Sequence, residues 1–151
     1  MDITRTVETL TPVDRVFAYL SDFTTTEEWD PGTVETSRRS GDGGVGTVYD
    51  NTSSFMGSTT ELEYTVTELV PGERFQLRGT NKTVTATDTM TFQPTPAGGT
   101  KVTYHADFQF NGLVGKAAPL LSPVLGLALK KLGNEAEKGM QEALDRLRVS
   151  S

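Results

Sequence analysis

The sequence of 151 residues contains no cysteine and only one histidine, His105. Without cysteine the chain cannot form a disulfide, a thiolate metal site or a cysteine nucleophile. A zinc site of the usual histidine-rich kind is also disfavoured, because every further ligand would have to be a carboxylate. His105 itself lies on the polar parity of its predicted strand, which turns it toward solvent. We therefore expect neither a metal nor a cofactor.

The chain also lacks a long apolar run. Its longest one, residues 117–129, is interrupted by two prolines, a serine and a glycine and is too short to span a bilayer. The N-terminus shows none of the basic, apolar and small-residue regions of a signal peptide. The length suits one domain with a sizeable core. These features predict one cytoplasmic domain over residues 1–151.

Positive charge is scarce as well. There are 14 lysines and arginines against 20 aspartates and glutamates, which gives a net charge of −6. The basic residues form no cluster beyond isolated pairs such as Arg38-Arg39, so no nucleic-acid partner is expected.

One glycine-rich stretch, GDGGVG at residues 41–46, matches the glycine motif of dinucleotide sites. That motif needs a helix N-terminus directly after it, where backbone amides meet the pyrophosphate. A strand pattern follows here instead, so we predict a hairpin turn.

Threonine is absent after Thr103, and this boundary separates two kinds of structure. β-branched residues favour strands, whereas the remainder is rich in Leu, Ala, Glu and Lys and favours helix. A strand over residues 2–10 leads to two short helices, and turn-prone stretches then separate six more strands. These strands are predicted at residues 33–40, 46–55, 59–70, 74–80, 83–93 and 101–110.

The C-terminal helix is predicted from about Pro123 to Val149, because apolar residues recur there at spacings of three and four. The short connections predict a seven-stranded antiparallel meander. Its apolar face needs a cover, which the long helix provides. The predicted fold class is therefore α+β, with a curved sheet that grips the helix and leaves a hollow between them.

Residues 117–129 allow three interpretations: a lid over the mouth of the hollow, a dimer contact, or a patch that touches a membrane. Pro119, Pro123 and Gly126 favour an irregular entrance segment over a rigid helix. The acidity of the chain argues against membrane contact.

The order of these elements resembles a known superfamily. The stretch VETLTPVDRVFAYLSDFTTTEEWDP is similar to the opening of START and birch-pollen-allergen proteins, in their polyketide cyclase/dehydrase branch. Later stretches, such as GDGGVGTVYD and the closing helix, resemble the same family over nearly the whole chain. The resemblance implies a helix-grip fold with a cavity for apolar or amphipathic small molecules. The family has no universal catalytic residues, so none can be assigned.

The strand KTVTATDTMTF, residues 82–92, carries a carboxylate on its apolar parity. Asp88 lies between Ala86 and Met90, and threonines occupy the alternate positions. Side chains alternate between the faces of a strand, so Asp88 should border the hollow unless a β-bulge shifts the register. The candidate ligand-binding residues are Arg5, Trp29, Tyr49, Asn51, Phe55, Tyr64, Phe75, Asp88, Met90, Tyr104, Phe108, Leu121, Leu125 and Leu129.

Arg5 shares the inward parity of the first strand. In the resembled fold this strand lies beside the last one, and the Asp88 strand comes next, which would bring Arg5 within reach of Asp88. A paired Asp88 would stay ionised and orient a polar ligand group. An unpaired one would retain its proton and act as a general acid. Both alternatives stay open.

The sequence favours a protein that binds or carries an apolar or amphipathic, lipid- or polyketide-like molecule. The alternative is a cofactor-free cyclase or dehydratase that acts on a polyketide-like substrate. A matched acid and base in the pocket would favour the enzyme, and a purely apolar pocket the carrier. A third alternative is a partner-binding regulator, and the chain could form a homodimer.

Overall fold

The fold consists of seven strands, two short helices and one long helix, in a computed structural model that describes residues 1–149. Side chains are described for all of these residues except 113, 114, 117–122 and 149. The elements are β1 (Asp2–Thr9), α1 (Val13–Leu20), a 3-10 turn (Phe23–Thr25), α2 (Thr26–Trp29), β2 (Thr33–Ser40), β3 (Val48–Phe55), β4 (Ser58–Val70), β5 (Arg74–Thr80), β6 (Val84–Pro94), β7 (Thr100–Phe110) and α3 (Gly112–Val149).

The strands form one antiparallel sheet in the order β1-β7-β6-β5-β4-β3-β2. Each of the strands β2 to β6 therefore pairs with the next one along the chain. β1 pairs with β7 and forms the edge of the sheet opposite β2. This confirms the predicted α+β helix-grip architecture, and the predicted strands agree with the structure to within two residues at each end.

The long helix begins earlier than predicted. α3 starts at Gly112, not near Pro123, so the predicted irregular segment over residues 117–129 is wrong for the backbone. Asn111 N–H donates to the Thr83 carbonyl at 2.7 Å, and Gly115 N–H donates to the Asn111 carbonyl at 3.0 Å. The chain thus passes directly from β7 into the helix. A proline inside a helix removes one hydrogen bond and crowds the carbonyl four residues before it, but the Leu and Ala residues around Pro119 and Pro123 are strong helix formers and favour the helix.

Two glycines let α3 approach its neighbours closely. A Cβ added at Gly139 would lie 2.0 Å from the Trp29 carbonyl oxygen, so α3 rests against the end of α2 at this point. A Cβ at Gly133 would lie 2.9 Å from Arg5 Nη2 on β1. These contacts fix α3 across the inner face of the sheet.

At one end of the inner face, α1 packs against the sheet and forms a hydrophobic core. α1 follows the end of β1 and buries Val16, Phe17 and Leu20 against the sheet. The rings of Phe17 and Phe92 lie 5.0 Å apart in an edge-on arrangement, and Phe92 is close to the end of β6. α1 has only eight residues, and beyond it Leu125, Leu129 and Leu132 of α3 face the sheet across a cavity. The sheet therefore has a core end and, opposite it, an end covered by α3.

The GDGGVG stretch is a turn between β2 and β3, as predicted. Gly41, Gly43 and Gly46 all have positive φ, and Gly43 N–H donates to Thr47 Oγ1 at 2.9 Å. A strand follows the glycines, so they do not form a dinucleotide-binding loop.

Candidate ligand-binding site

The inner face of the sheet and α3 enclose a cavity of about 450 Å³. Small-molecule sites usually measure roughly 300–1,000 Å³. Phe55 and Met56 at the β3–β4 hairpin, Val84 at the start of β6 and Phe110 at the end of β7 line the cavity. These residues lie at the end of the sheet opposite α1, where Met56 is 55% exposed, and this end of the cavity is here called the mouth.

Asp88 lies deep in this cavity. It follows Val84 by four residues on β6, which corresponds to roughly 13 Å along the strand. The register of β6 continues without a bulge past its partners Leu77 on β5 and Ala106 on β7, so Asp88 keeps the inward parity. Only 5% of the residue is exposed. The bulge that would have turned it to solvent is absent.

Only one of the two carboxyl oxygens of Asp88 accepts a hydrogen bond from the described residues. Tyr104 Oη donates to Asp88 Oδ2 at 3.0 Å, whereas Oδ1 has no hydrogen-bond partner among the described residues. Burial raises the pKa of Asp88 to about 7, and the charge of Asp30 adds to this, against the Tyr104 hydrogen bond and the charge of His105. The group therefore changes its protonation state near neutral pH.

A second carboxyl, Asp30, lines the same cavity and is not among the residues that the sequence predicts for the site. Asp30 follows α2 directly; its Oδ1 accepts from Gly32 N–H and its Oδ2 from Thr33 Oγ1, both at 3.0 Å. Burial is the main cause that raises its pKa. Asp30 lies in a turn, where no periodicity reveals which way a side chain points. The sequence signal available was the turn tripeptide Asp30-Pro31-Gly32 directly after Trp29.

Aromatic side chains surround these carboxyls. The rings of Trp29 and Tyr104 lie 5.7 Å apart at a steep angle, and those of Phe23 and Tyr64 lie 4.8 Å apart. Trp29 Nε1 has no hydrogen-bond partner among the described residues. Burial and the nearby Asp88 raise the pKa of both Tyr64 and Tyr104, so both phenols stay protonated.

Another polar cluster lines the wall toward β2, and its hydrogen bonds are internal. Asn51 Nδ2 donates to Thr36 Oγ1 at 2.8 Å, and Ser53 Oγ donates to Asn51 Oδ1 at 2.7 Å. The Thr36 hydroxyl lies 2.6 Å from that of Thr26. Because its donors and acceptors are engaged, this cluster orders the wall and offers less to a ligand than Asp88 does.

Almost the whole chain matches one protein family. Residues 1–149 match the family model described as polyketide cyclase / dehydrase and lipid transport. The chain belongs to this family. No curated protein matches it significantly. No helix among the described residues is long and apolar enough to cross a membrane, and no group of three or more acidic or histidine side chains there is arranged to hold a metal ion.

Solved structures share the fold. The chain is similar to a protein from Thermus thermophilus (TTHA0849; 16% identity, 100% of each chain, TM-score 0.82). It is also similar to the Zhui aromatase/cyclase from Streptomyces (15% identity, 97% of this chain and 94% of that one, TM-score 0.81). A third is a START superfamily protein from Mycobacterium smegmatis (13% identity, 97% and 98% covered, TM-score 0.75). At these identities the likeness establishes the fold alone.

Most of the ligand-binding residues predicted from the sequence line the cavity of this family member. Leu121 lies outside the side chains that the structure describes. The candidates that line the cavity are Trp29, Asn51, Phe55, Tyr64, Asp88, Tyr104, Phe108, Leu125 and Leu129.

Three candidates belong to the core instead. Tyr49, Phe75 and Met90 are each no more than 1% exposed and do not line the cavity. Their inward parity is correct, but each lies toward the core end of its strand, where α1 and the 3-10 turn fill the space. The ring of Tyr49, for example, packs 5.7 Å from that of Phe23.

Arg5 does not line the cavity and does not pair with Asp88. It points inward on β1, but its Nη2 donates to the Lys130 carbonyl at 3.3 Å and to Asn134 Oδ1 at 3.0 Å, both on α3. Because α3 packs directly over β1, the guanidinium of Arg5 binds to this helix and does not reach Asp88. His105, by contrast, lies on the outer face as predicted, 3.0 Å from Asp2 Oδ2.

Proposed function

We propose that this chain binds an apolar or amphipathic small molecule, lipid- or polyketide-like, in the cavity between the sheet and α3. One observation carries the proposal: the cavity of about 450 Å³ has mainly apolar walls and, deep inside, a buried carboxyl with an oxygen that no described residue satisfies. An apolar enclosure with a few convergent polar groups is the usual form of a small-molecule site. Membership in a family that includes lipid transport supports the same function.

Titration with the neutral dye Nile red tests this proposal. The dye should gain fluorescence on binding and saturate at one molecule per chain. A folded protein that shows no saturable binding at any soluble dye concentration would contradict the proposal. Native mass spectrometry of freshly purified protein would then identify any molecule that it retains.

A second candidate function is a cofactor-independent cyclase or dehydratase, and Asp88 is the observation that favours it. A carboxyl with a pKa of about 7 can both accept and donate a proton at neutral pH. In the dehydration of a β-hydroxyketone, Asp88 would take the proton from the carbon between the ketone and the hydroxyl-bearing carbon. It would then give this proton to the leaving hydroxyl, so that an enone and water form.

The aldol of benzaldehyde and acetone is a suitable substrate for this test, because its enone product is followed by absorbance. An enzyme would accelerate the reaction, and Asp88→Asn would abolish the acceleration. The matched control is Asp107→Asn on the outer face of β7, which should have no effect. Dye binding without acceleration would favour the carrier.

A further inference from the structure

The charged side chains that line the cavity are all of one sign. Asp30 and Asp88 lie on its wall, and no lysine, arginine or histidine does among the described residues. The helix side chains outside the description, residues 113, 114 and 117–122, are uncharged in the sequence. Arg5, the basic residue on the inner face of β1, is held by α3. Two acids without a basic partner make a cavity that repels anions and attracts cations.

Asp88 supplies the acceptor that such a cation needs. The residue is 5% exposed, and its Oδ1 has no partner among the described residues. A buried carboxylate oxygen without a donor is costly, so a ligand that brings an N–H group gains by satisfying it.

Aromatic side chains add to this attraction. Tyr104 is hydrogen-bonded to Asp88, the Trp29 ring lies 5.7 Å from that of Tyr104, and Tyr64 lines the same cavity. The negative face of an aromatic ring attracts a cation, most strongly where water is excluded.

We infer that the buried end of the ligand is an amine-derived cation, bound by Asp88 and flanked by Trp29, Tyr64 and Tyr104. The inference rests on the proposed function, because it specifies the polar end of the molecule that the cavity takes. The ammonium N–H groups donate to Asp88, and the apolar remainder of the ligand extends toward the mouth. A carboxylate or phosphate in the same place would meet two acids and no basic group.

Binding of an ammonium requires the ionised form of Asp88, so the affinity should depend on pH. Burial, followed by the charge of Asp30, raises the pKa of Asp88 to about 7, while Tyr104 and His105 oppose the shift. The affinity for an amine should therefore fall as pH drops below 7, approaching tenfold for each unit. Tyr104 on β7, Tyr64 on β4 and Asp30 after α2 interact with Asp88, and His105 acts on it from behind the sheet. The described side chains of α3 that line the same cavity, Leu125, Leu129 and Leu132, are uncharged.

Four probes with one carbon skeleton separate charge from apolar contact: β-naphthylmethylamine, β-naphthylmethanol, β-methylnaphthalene and β-naphthoate. Each is measured by displacement of Nile red at about pH 8, where Asp88 is ionised. We expect the amine to bind about tenfold tighter than the alcohol, and the naphthoate to bind weakest. In Asp88→Asn the amine should lose this advantage, and the alcohol serves as the reference for any change in cavity shape.

The outcomes distinguish the inference from the proposed function. A protein that binds Nile red but shows no preference for the amine over the alcohol, or prefers the naphthoate, overturns the inference alone. A protein that binds neither Nile red nor any of the probes overturns both. If Asp88→Asn does not fold, the pH dependence of the wild-type protein decides. An amine affinity that stays constant between about pH 5 and pH 8 contradicts the inference.

Discussion

Tyr104 and Asp88 meet diagonally across two neighbouring strands, with the Tyr104 hydroxyl 3.0 Å from Asp88 Oδ2. Their backbones are not in register, because Tyr104 pairs with Met90 and Asp88 pairs with Ala106. The long tyrosine side chain spans the diagonal, as aromatic side chains can in a sheet. One carboxyl oxygen is thereby fixed from within the sheet, and the other is left for whatever enters the cavity.

The raised pKa of Asp88 predicts a distinctive pH dependence of stability. Its pKa lies near 3.8 in the unfolded chain and at about 7 in the folded one, so the folded state binds the proton more tightly between these values. The free energy of unfolding that this group contributes therefore decreases as pH rises through this window. Asp88→Asn removes the contribution. As pH rises from about 5 to about 8, the free energy of unfolding of the variant should increase relative to that of wild type by up to ~3 kcal/mol.

Urea denaturation of both proteins at the two pH values measures this difference. Asp107→Asn, on the outer face of β7, is the control and should not reproduce it. If the difference between Asp88→Asn and wild type were the same at both pH values, Asp88 would not titrate as a buried group.

The two glycines of α3 predict different costs for the same substitution. In Gly139→Ala the new Cβ meets the Trp29 carbonyl oxygen, a backbone atom that cannot move alone, so α3 must shift away from α2. In Gly133→Ala it meets the end of the flexible Arg5 side chain, and the better helix propensity of alanine offsets part of the strain. We expect losses of about 3 kcal/mol or more at residue 139 and of about 1 kcal/mol or less at residue 133.

Thermal or urea unfolding of both variants tests this contrast. Gly126→Ala is the matched control, because its Cβ would meet nothing within 4 Å and the residue lies in the same helix. It should be neutral or slightly stabilising. Equal losses at residues 133 and 139 would contradict the close approach of α3 to α2.

The predicted face of each strand was more reliable than the predicted position on that face. Alternation placed Asp88, Tyr104 and Tyr64 on the inner side, and all three line the cavity. The same rule placed Phe75 and Met90 inward, where they belong to the core. Parity depends on the local strand alone, whereas the boundary between core and cavity depends on where the distant α1 packs, which no local pattern reveals.

Two other differences have the same kind of cause. Arg5 has the predicted inward parity, but the nearby carbonyl of Lys130 on α3 takes its guanidinium, and this contact depends on the close approach at Gly133. Asp30 was not predicted because its orientation is set by a turn. In this turn Gly32 N–H and the Thr33 hydroxyl donate hydrogen bonds to the Asp30 carboxylate. Both are long-range or turn-specific effects, beyond the reach of strand periodicity.

The position of Arg5 predicts a structural role separate from the cavity. Arg5→Gln should lose the hydrogen bonds to Lys130 and Asn134 and destabilise the fold by about 1–2 kcal/mol. It should leave the pKa of Asp88 unchanged, because Asp88 is bonded to Tyr104 and not to Arg5. Urea denaturation measures the first effect and carboxyl NMR the second. A shift of the Asp88 pKa in this variant would restore the pairing that the sequence suggested.

Filling part of the cavity should weaken binding without unfolding the chain. Ala86 is 1% exposed and lines the cavity, so the larger side chain in Ala86→Leu occupies part of its volume. We expect the affinity for Nile red to fall at least about tenfold. Thr87→Leu places the same side chain on the outer face of the same strand and is the control. Equal dye affinity in both variants would locate the bound dye elsewhere.

Carboxyl NMR of Asp88, titrated with pH in the free protein and in the protein saturated with Nile red, tests most directly whether this carboxyl lies in a ligand-binding cavity. The free protein should show a pKa of about 7 for Asp88. The neutral dye displaces water from the carboxyl, so it should raise the pKa further and move the carboxyl resonance. A pKa near the ordinary value of about 4, or a titration that the bound dye leaves unchanged, would contradict the claim that Asp88 lies inside a ligand-binding cavity.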